Sequence, residues 1–141
     1  MISMKNSTTL LIMNVCLLIT LSHQCRAVPL HNVPEQVSIE RMVAPMVVEF
    51  YRPSCGHCQS MAPKYAAVAA ECTNGTNFYR VNADNMARAN SIASTITRQK
   101  VSKVRGVPTF VFVNKNGNTS GDVKSGGMSK QELQSRVAQL Q

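Results

Sequence analysis

The sequence predicts an α/β domain with a mixed β-sheet flanked by helices, and three observations support this prediction. Short runs of β-branched and aromatic residues alternate with longer segments whose apolar residues recur at helical spacing. Strands that are joined by helices pair in parallel. The last two strands are instead separated by the turn signal Asn116-Gly117, which predicts an antiparallel hairpin at the edge of the sheet. The expected order is therefore β-α-β-α-β-β-α.

Residues 1–27 are expected to be a secretory signal peptide. Residues 10–21 form its apolar segment, and Cys25 and Ala27 are the small residues that precede a cut after Ala27. The apolar segment is shorter than the roughly 20 residues of a membrane span, so an uncleaved anchor is the less favoured alternative. Residues 28–141 are then one exported domain, for which no stable membrane insertion is expected.

The first half of the domain is predicted to contain a short helix, a buried strand and a longer helix. The polar lead-in favours a helix over about residues 34–43. The run "PMVVEFY" at residues 45–51 is almost continuously apolar, which is typical of a central strand that is buried on both faces. Residues 54–72 follow as a helix with Ser54 as its expected N-cap, and the next Asn-Gly dipeptide ends it.

The second half is predicted to add a strand, a helix, the hairpin and a closing helix. Residues 77–84 read "NFYRVNAD" and favour a strand of the sheet interior. Apolar residues on one helical face predict a helix over about residues 85–103. The run "PTFVFV" at residues 108–113 is the first strand of the hairpin, and the capping box at residues 129–132 begins the closing helix.

The basic composition does not indicate a nucleic-acid-binding protein. The net charge is +8, and two of these charges, Lys5 and Arg26, lie in the expected signal peptide. The others are scattered from Arg41 to Arg136 with few aromatic residues among them. Nucleic-acid binding usually shows a clustered basic stripe or a recognisable motif, and the sequence shows neither. A solvated basic surface is the favoured interpretation.

The cysteines of the expected domain indicate chemistry rather than stapling. Signal cleavage would leave Cys55, Cys58 and Cys72, an odd number, whereas small disulfide-stapled domains carry a larger and even set. Cys72 lies roughly 21 Å beyond Cys58 along the predicted helix, at 1.5 Å per residue, so it is expected to be a free thiol. A zinc site is not expected, because the Cys-x-x-Cys pair has no second paired motif.

Cys55 and Cys58 are therefore predicted to form a reactive dithiol. Cys55 falls where a strand leads into a helix, near unpaired backbone N–H groups and the positive end of the helix dipole. These groups favour a thiolate, as does a protonated or hydrogen-bond-donating His57. Cys58, one helical turn further along, meets less solvent. We therefore expect Cys55 to form the mixed disulfide with a substrate and Cys58 to resolve it.

Glu49 is the one charge in the predicted central strand. Burying an ionised carboxylate costs several kcal/mol, so such a group usually has a raised pKa and is a candidate proton carrier. We expect Glu49 to lie beneath the dithiol and to accept the proton of Cys58, with Arg80 on the neighbouring strand as its counter-charge. The alternative is a glutamate on an edge strand that faces water.

The segments "VVEFYRPSCGHCQSMAP", "VRGVPTF" and "VNKNGN" together resemble the thioredoxin-like superfamily, and Cys-Gly-His-Cys after Phe-Tyr resembles protein disulfide isomerase domains. The resemblance covers nearly all of residues 33–141. It implies a thioredoxin fold, with Glu49 buried behind the cysteines and a cis peptide bond at Pro108. It also implies that Val107 and Pro108 flank the groove where a substrate strand pairs, with Gly56 as a further substrate-binding candidate.

The expected function is thiol–disulfide exchange with cysteine-containing proteins, with the Cys55–Cys58 disulfide as the redox group and no added cofactor or metal. An upstream redox partner is possible. The bacterial periplasm is the favoured location, with secretion or the endoplasmic reticulum lumen as the alternative. A structural disulfide, a client-binding module without turnover and a metal-binding dithiol are the other hypotheses. The sequence departs from the family pattern in four ways that bear on the choice of partner proteins. These are Ser54 before the first cysteine, Arg52, the lack of tryptophan and a long segment between Asp84 and Arg105.

Overall fold

The computed structural model describes residues 31–32, 39–101, 103–119 and 123–141. The expected signal peptide lies outside these residues. Residues 33–38, which contain the first half of the predicted lead-in helix, also lie outside them. Among the residues that are described, no helix is both long and apolar enough to cross a membrane.

The core of the fold is one five-stranded mixed sheet, which confirms the predicted fold class. Its strand order is β1-β3-β2-β4-β5, with β2 in the middle. The first three strands in that order are parallel, and β4 and β5 are antiparallel to their neighbours. The strands are β1 (His31–Asn32), β2 (Met46–Tyr51), β3 (Asn77–Asn82), β4 (Thr109–Val113) and β5 (Lys124–Ser125).

In the described part of the chain, three α-helices cover the two faces of this sheet, namely α1 (Gly56–Glu71), α2 (Met86–Ile96) and α3 (Lys130–Ala138). Side chains alternate along β2, so Val47 packs with residues of α1 and α3, whereas Val48 and Phe50 pack with α2. The sheet is therefore buried on both sides, which explains why β2 is so continuously apolar.

Tyr65 of α1 fastens the helix to the sheet. It is completely buried, and its hydroxyl lies 2.9 Å from the carbonyl oxygen of Val47 and 3.0 Å from that of Tyr79. Because the hydroxyl has one proton, it donates to one of these two neighbouring strands at a time. Burial raises the pKa of Tyr65 well above its ordinary value, and the nearby Glu49 adds to the rise. The hydroxyl is thus a neutral hydrogen-bond donor.

Two predicted helices are shorter than expected. The lead-in helix is a three-residue 3-10 turn, Ile39–Arg41, within the described part of its range. The helix predicted over about residues 85–103 is capped by Asn85 and ends at Ile96. The chain turns there because the Thr97 hydroxyl accepts from the Val101 N–H, and Arg98 and Gln99 take left-handed backbone angles that no helix can continue through. Ile96 is also the last residue of the apolar face, so the predicted range to about residue 103 extended beyond the periodic pattern.

Candidate active site

The two cysteines stand where β2 leads into α1. Cys55 and Cys58 form a disulfide, with their Cα atoms 5.2 Å apart. Cys55, rather than the predicted Ser54, is the N-cap, because Cys55 has extended backbone angles and its Sγ accepts from the Cys58 N–H at 3.1 Å. A sulfur thus replaces the usual oxygen at the first turn of α1.

The two sulfurs differ in their access to solvent, as predicted. Cys58 is 1% exposed and lies on the helix face that packs on the sheet, whereas Cys55 is half-buried. Gly56 and His57 between them are exposed on the first turn of α1. A Cβ at Gly56 would meet no atom of the other described residues beyond its chain neighbours and the helix backbone within 4 Å, so the first turn of α1 is open at this position. A molecule that approaches from solvent therefore reaches Cys55 before Cys58.

The segment before β4 lies beside the exposed sulfur. The Val107–Pro108 peptide bond is cis, as the family resemblance implies, and the Val107 carbonyl oxygen is 3.6 Å from Cys55 Sγ. Pro108 is buried, and its carbonyl oxygen accepts from the Gly126 N–H at 2.8 Å. The Thr109 hydroxyl donates to the Gly106 carbonyl at 2.6 Å. These bonds fix the backbone that faces the disulfide.

Glu49 is completely buried in β2, so the alternative of a water-facing edge glutamate is wrong. It is in register with Arg80 of β3, whose Nε donates to Glu49 Oε2 at 2.6 Å. Burial raises the pKa of Glu49, and the Arg80 charge and hydrogen bond partly offset that rise. Arg80 itself is stacked over the Tyr51 ring, with its guanidinium carbon 4.0 Å from the ring centroid.

The other carboxylate oxygen of Glu49 has no hydrogen-bond partner among the described residues. Glu49 has the same strand parity as Val47, and so projects toward the face that α1 covers. Cys58 projects from α1 toward that same face of the sheet. Glu49 and Cys58 are thus both buried on the side of the sheet that α1 covers, and the role of Glu49 as proton acceptor for Cys58 stays a prediction.

A groove beside the disulfide was not anticipated from the sequence. It has a volume of about 420 Å³ and separates residues 57–64 of α1 from residues 127–132 around the start of α3. The two segments are far apart in the chain, and no local pattern marks the second one as part of the site. Only the packing of α1 and α3 on the same face of the sheet brings them together.

Cys72 stands apart from the disulfide, at the C-cap of α1. It is a buried free thiol, as predicted, and its Sγ donates to Asn74 Oδ1 at 2.9 Å. Within the described ranges, no group of three or more His, Cys, Asp or Glu side chains is arranged to hold a metal ion.

Comparisons with known proteins identify the family. The thioredoxin family profile matches residues 32–139. The chain is 40% identical over 68 residues to protein disulfide isomerase-like 1-4 of Arabidopsis thaliana, covering 48% of this chain and 10% of that relative. It is 34% identical over 98 residues to the chloroplastic thioredoxin-like protein HCF164 of Oryza sativa subsp. japonica, covering 68% of this chain and 34% of the relative.

A solved structure supports the same assignment. The thioredoxin of Malassezia sympodialis superposes with a TM-score of 0.51 at 25% identity, over 67% of this chain and 73% of that one. The chain spans between a tenth and about a third of the length of the two curated relatives, so their whole-protein activities are not transferred. A family match that covers most of the chain, on this sheet and with this Cys-x-x-Cys pair, means that the chain belongs to the thioredoxin family of thiol–disulfide oxidoreductases.

Proposed function

We propose that the chain is an exported oxidoreductase that exchanges disulfides with cysteine-containing proteins. The observation that carries the proposal is a disulfide at a helix N-terminus with one sulfur accessible and the other buried. A structural disulfide of this span would add little stability, because a short loop gains least from closure. The same geometry gives the two sulfurs different roles in exchange.

Each exchange moves two electrons through a mixed disulfide. When the chain acts as a reductant, the Cys55 thiolate attacks a client disulfide, and the departing client sulfur leaves as a thiolate that takes up a proton. The Cys58 thiolate then attacks Cys55 Sγ, which releases the second client thiolate and forms the Cys55–Cys58 disulfide. Oxidation of a client dithiol is the reverse sequence, in which a client thiolate attacks Cys55 Sγ and Cys58 leaves.

The site stabilises the thiolate of Cys55 and provides an acceptor for the proton of Cys58. The Cys58 N–H donates to Cys55 Sγ at the positive end of α1, and both features stabilise negative charge on that sulfur. Cys58 is buried, so its proton needs an acceptor within the protein. Glu49 takes that role, since its unpartnered carboxylate oxygen lies in the layer between α1 and the sheet.

The backbone around the exposed sulfur is the binding surface for the client strand. The Val107 carbonyl oxygen beside Cys55 accepts from a client N–H, and buried Pro108 holds that carbonyl in place. Gly56 leaves the opposite side free for the client chain. No cofactor is needed beyond the Cys55–Cys58 disulfide, and a second redox protein restores its resting state after each cycle.

Replacement of each cysteine tests the proposal. Cys58→Ser is expected to accumulate mixed disulfides between Cys55 and client proteins, because the resolving thiol is gone. Cys55→Ser is expected to abolish exchange and to accumulate none, and Cys72→Ser is the matched control with wild-type exchange. Client binding that survives the loss of Cys55 and Cys58 would instead favour a binding module, and stoichiometric zinc on the reduced protein would favour a metal carrier.

The redox equilibrium with glutathione sets the direction of exchange. A reduction potential of the Cys55–Cys58 couple of about −180 mV or higher, the range of disulfide isomerases and oxidases, assigns the chain to disulfide formation or isomerisation. A potential near about −270 mV, the range of thioredoxin, assigns it to reduction. A protein without a reversible couple would contradict the oxidoreductase proposal.

Export is part of the proposal, with the bacterial periplasm favoured over a eukaryotic secretory compartment. Residues 1–27 support it because they have the layout of a signal peptide. Disulfides also form and persist in such compartments, which suits a Cys-x-x-Cys protein. One relative is named as chloroplastic, so members of the family occur inside membrane-bound compartments. Cell fractionation with N-terminal sequencing tests this proposal. A mature chain that begins at Val28 is expected, and a cytosolic protein that begins at Met1 would contradict it.

A further inference from the structure

The groove beside the disulfide contains a cation without a counter-charge. Lys64 lines the groove with His57 and is exposed, and no carboxylate of the described residues forms an ion pair with it. Glu132 is the one acid among the lining residues, and its Oε1 is 3.8 Å from Lys124 Nζ and 3.3 Å from Arg136 Nε. The groove therefore has a positive charge that nothing within it neutralises.

Two further basic residues, Arg52 and Arg105, lie close in the chain to Cys55 and Val107. Asp84 is engaged by Arg52, whose Nε is 3.9 Å from its Oδ1 and 3.1 Å from the Ala83 carbonyl oxygen. Arg105 is exposed two residues before Val107, and it forms no ion pair with any described residue. Asp84 and Glu132 are thus already paired, while Lys64 and Arg105 form no ion pair with a described residue.

We propose that this surface selects client segments that carry acidic residues beside the reacting cysteine, with Lys64 as the main selecting residue. The inference rests on the proposed disulfide exchange and names the class of client for it. A client segment must lie across Cys55 for its sulfur to be attacked, so the residues that flank its cysteine pass over the groove. A glutamate or aspartate there approaches Lys64, whereas a lysine is repelled.

The effect is one of encounter and orientation rather than of tight binding. Exposed charges at the rim of an interface mainly change the association rate and its dependence on salt. Exchange under limiting client concentration follows that rate, so we expect a preference of about threefold per well-placed charge at low ionic strength. Screening then reduces the preference as salt is added.

Three synthetic peptides test this inference on the reduced full-length chain. They share one intramolecular disulfide and differ only in flanking residues, which are glutamates, glutamines or lysines. Acid quenching followed by chromatography gives the exchange rate of each peptide. We expect the glutamate peptide to react about threefold faster than the glutamine peptide at low salt, and the lysine peptide to react more slowly than both.

Two variants with the same change of charge locate the effect. Lys64→Glu is expected to bring the ratio of glutamate-peptide to glutamine-peptide rates to one or below. Lys115→Glu is the control, because Lys115 is exposed beyond the end of β4 that lies away from Pro108, and it is expected to keep the wild-type ratio. Equal changes in both variants would assign the preference to net charge and overturn the inference.

The outcomes also separate this inference from the proposed function. Three peptides that exchange at one rate would overturn the acidic-client inference and still support disulfide exchange. A reduced chain that reacts with none of the peptide disulfides, and whose oxidised form also oxidises none of the corresponding peptide dithiols, would instead contradict the proposed function itself.

Discussion

Glu49 is a completely buried acid in the central strand, and the contacts of its carboxylate explain how the fold accommodates it. One carboxylate oxygen is satisfied by Arg80 at 2.6 Å, and the other has no partner. A half-satisfied buried carboxylate is costly in its ionised form, which is why its pKa rises despite the adjacent guanidinium. A group in this condition takes up a proton readily, as an acceptor for Cys58 must.

The pH dependence of stability should reveal this group. As the pH rises from 4.5, the ordinary value, the unfolded chain releases the Glu49 proton while the folded protein retains it up to the raised pKa. The folded state binds more protons in this window, so Glu49 makes the free energy of unfolding fall as the pH rises. We expect Glu49→Gln to remove this loss, which urea unfolding of both proteins across the pH range measures. A difference between them that does not vary with pH would contradict the assignment.

Arg80 should set the pH at which Glu49 becomes an effective acceptor. Because the Arg80 charge lowers the pKa of Glu49, we expect Arg80→Gln to shift the rise in the mixed-disulfide resolution rate to higher pH. Arg80→Lys keeps the charge but not the forked guanidinium, and should shift the profile less. Stopped-flow measurement of resolution against pH compares the three proteins. Identical profiles for Arg80→Gln and wild type would exclude Arg80 from this role.

At the scale of elements, the turn between β4 and β5 depends on one glycine. Gly117 has a φ of 72°, and a Cβ at this position would lie 2.8 Å from Nη2 of Arg98. The Asn114 side chain accepts from the N–H groups of Asn116 and Asn118, which closes the turn around Gly117. The sequence signal Asn-Gly therefore corresponds to a real backbone requirement.

Substitution of this glycine should weaken the hairpin. We expect Gly117→Ala to lower the free energy of unfolding by at least about 1 kcal/mol, because a side chain at positive φ is strained and the Arg98 guanidinium must move. Gly127→Ala is the matched control, since its φ is not in the left-handed region and a Cβ there meets nothing within 4 Å. Urea unfolding measures both variants, and equal stabilities would contradict this account of the turn.

The elements also show which features local sequence predicts well. The central strand, the hairpin and the α3 capping box were predicted, because each depends on residues within a short window. The end of α2 was missed, because the predicted helix was extended through polar residues beyond Ile96, where the Thr97 hydroxyl and two left-handed residues turn the chain away. Ser54 was the expected N-cap because serine often occupies that position. Cys55 is the N-cap instead, because its backbone is extended and its sulfur accepts from the Cys58 N–H.

At the scale of the whole molecule, the candidate site is assembled from segments that meet only in the folded sheet. Glu49 and the cysteines are close in the chain, so their relation was predictable from the sequence. The contact of Val107 with Cys55 was expected only through the family resemblance, and the groove formed by residues 127–132 was not expected at all. Both depend on the position of β4 beside β2, which single-sequence patterns do not determine.

This assembly should make the reduced protein the more stable form. In the folded chain the Cys55 thiolate is stabilised by the α1 N-terminus, a contribution that the unfolded chain lacks. We therefore expect the free energy of unfolding to be greater with Cys55 and Cys58 reduced than with the disulfide formed, which corresponds to the more oxidising of the two ranges of potential given above. Urea unfolding with and without a reductant measures the difference, with Cys72→Ser used to exclude other thiol chemistry. A more stable disulfide form would favour a reductant.

The hydrogen bond from the Cys58 N–H to Cys55 Sγ joins the peptide backbone directly to the reacting sulfur. Conversion of that sulfur to a thiolate, a mixed disulfide or the closed disulfide changes the electron density at the acceptor of this hydrogen bond. The change alters the environment of the Cys58 amide proton. In a ¹⁵N-labelled sample, the amide resonance of Cys58 is then an internal indicator of the redox state. Its position follows each turnover without a dye, a label on the thiols or a coupled enzyme.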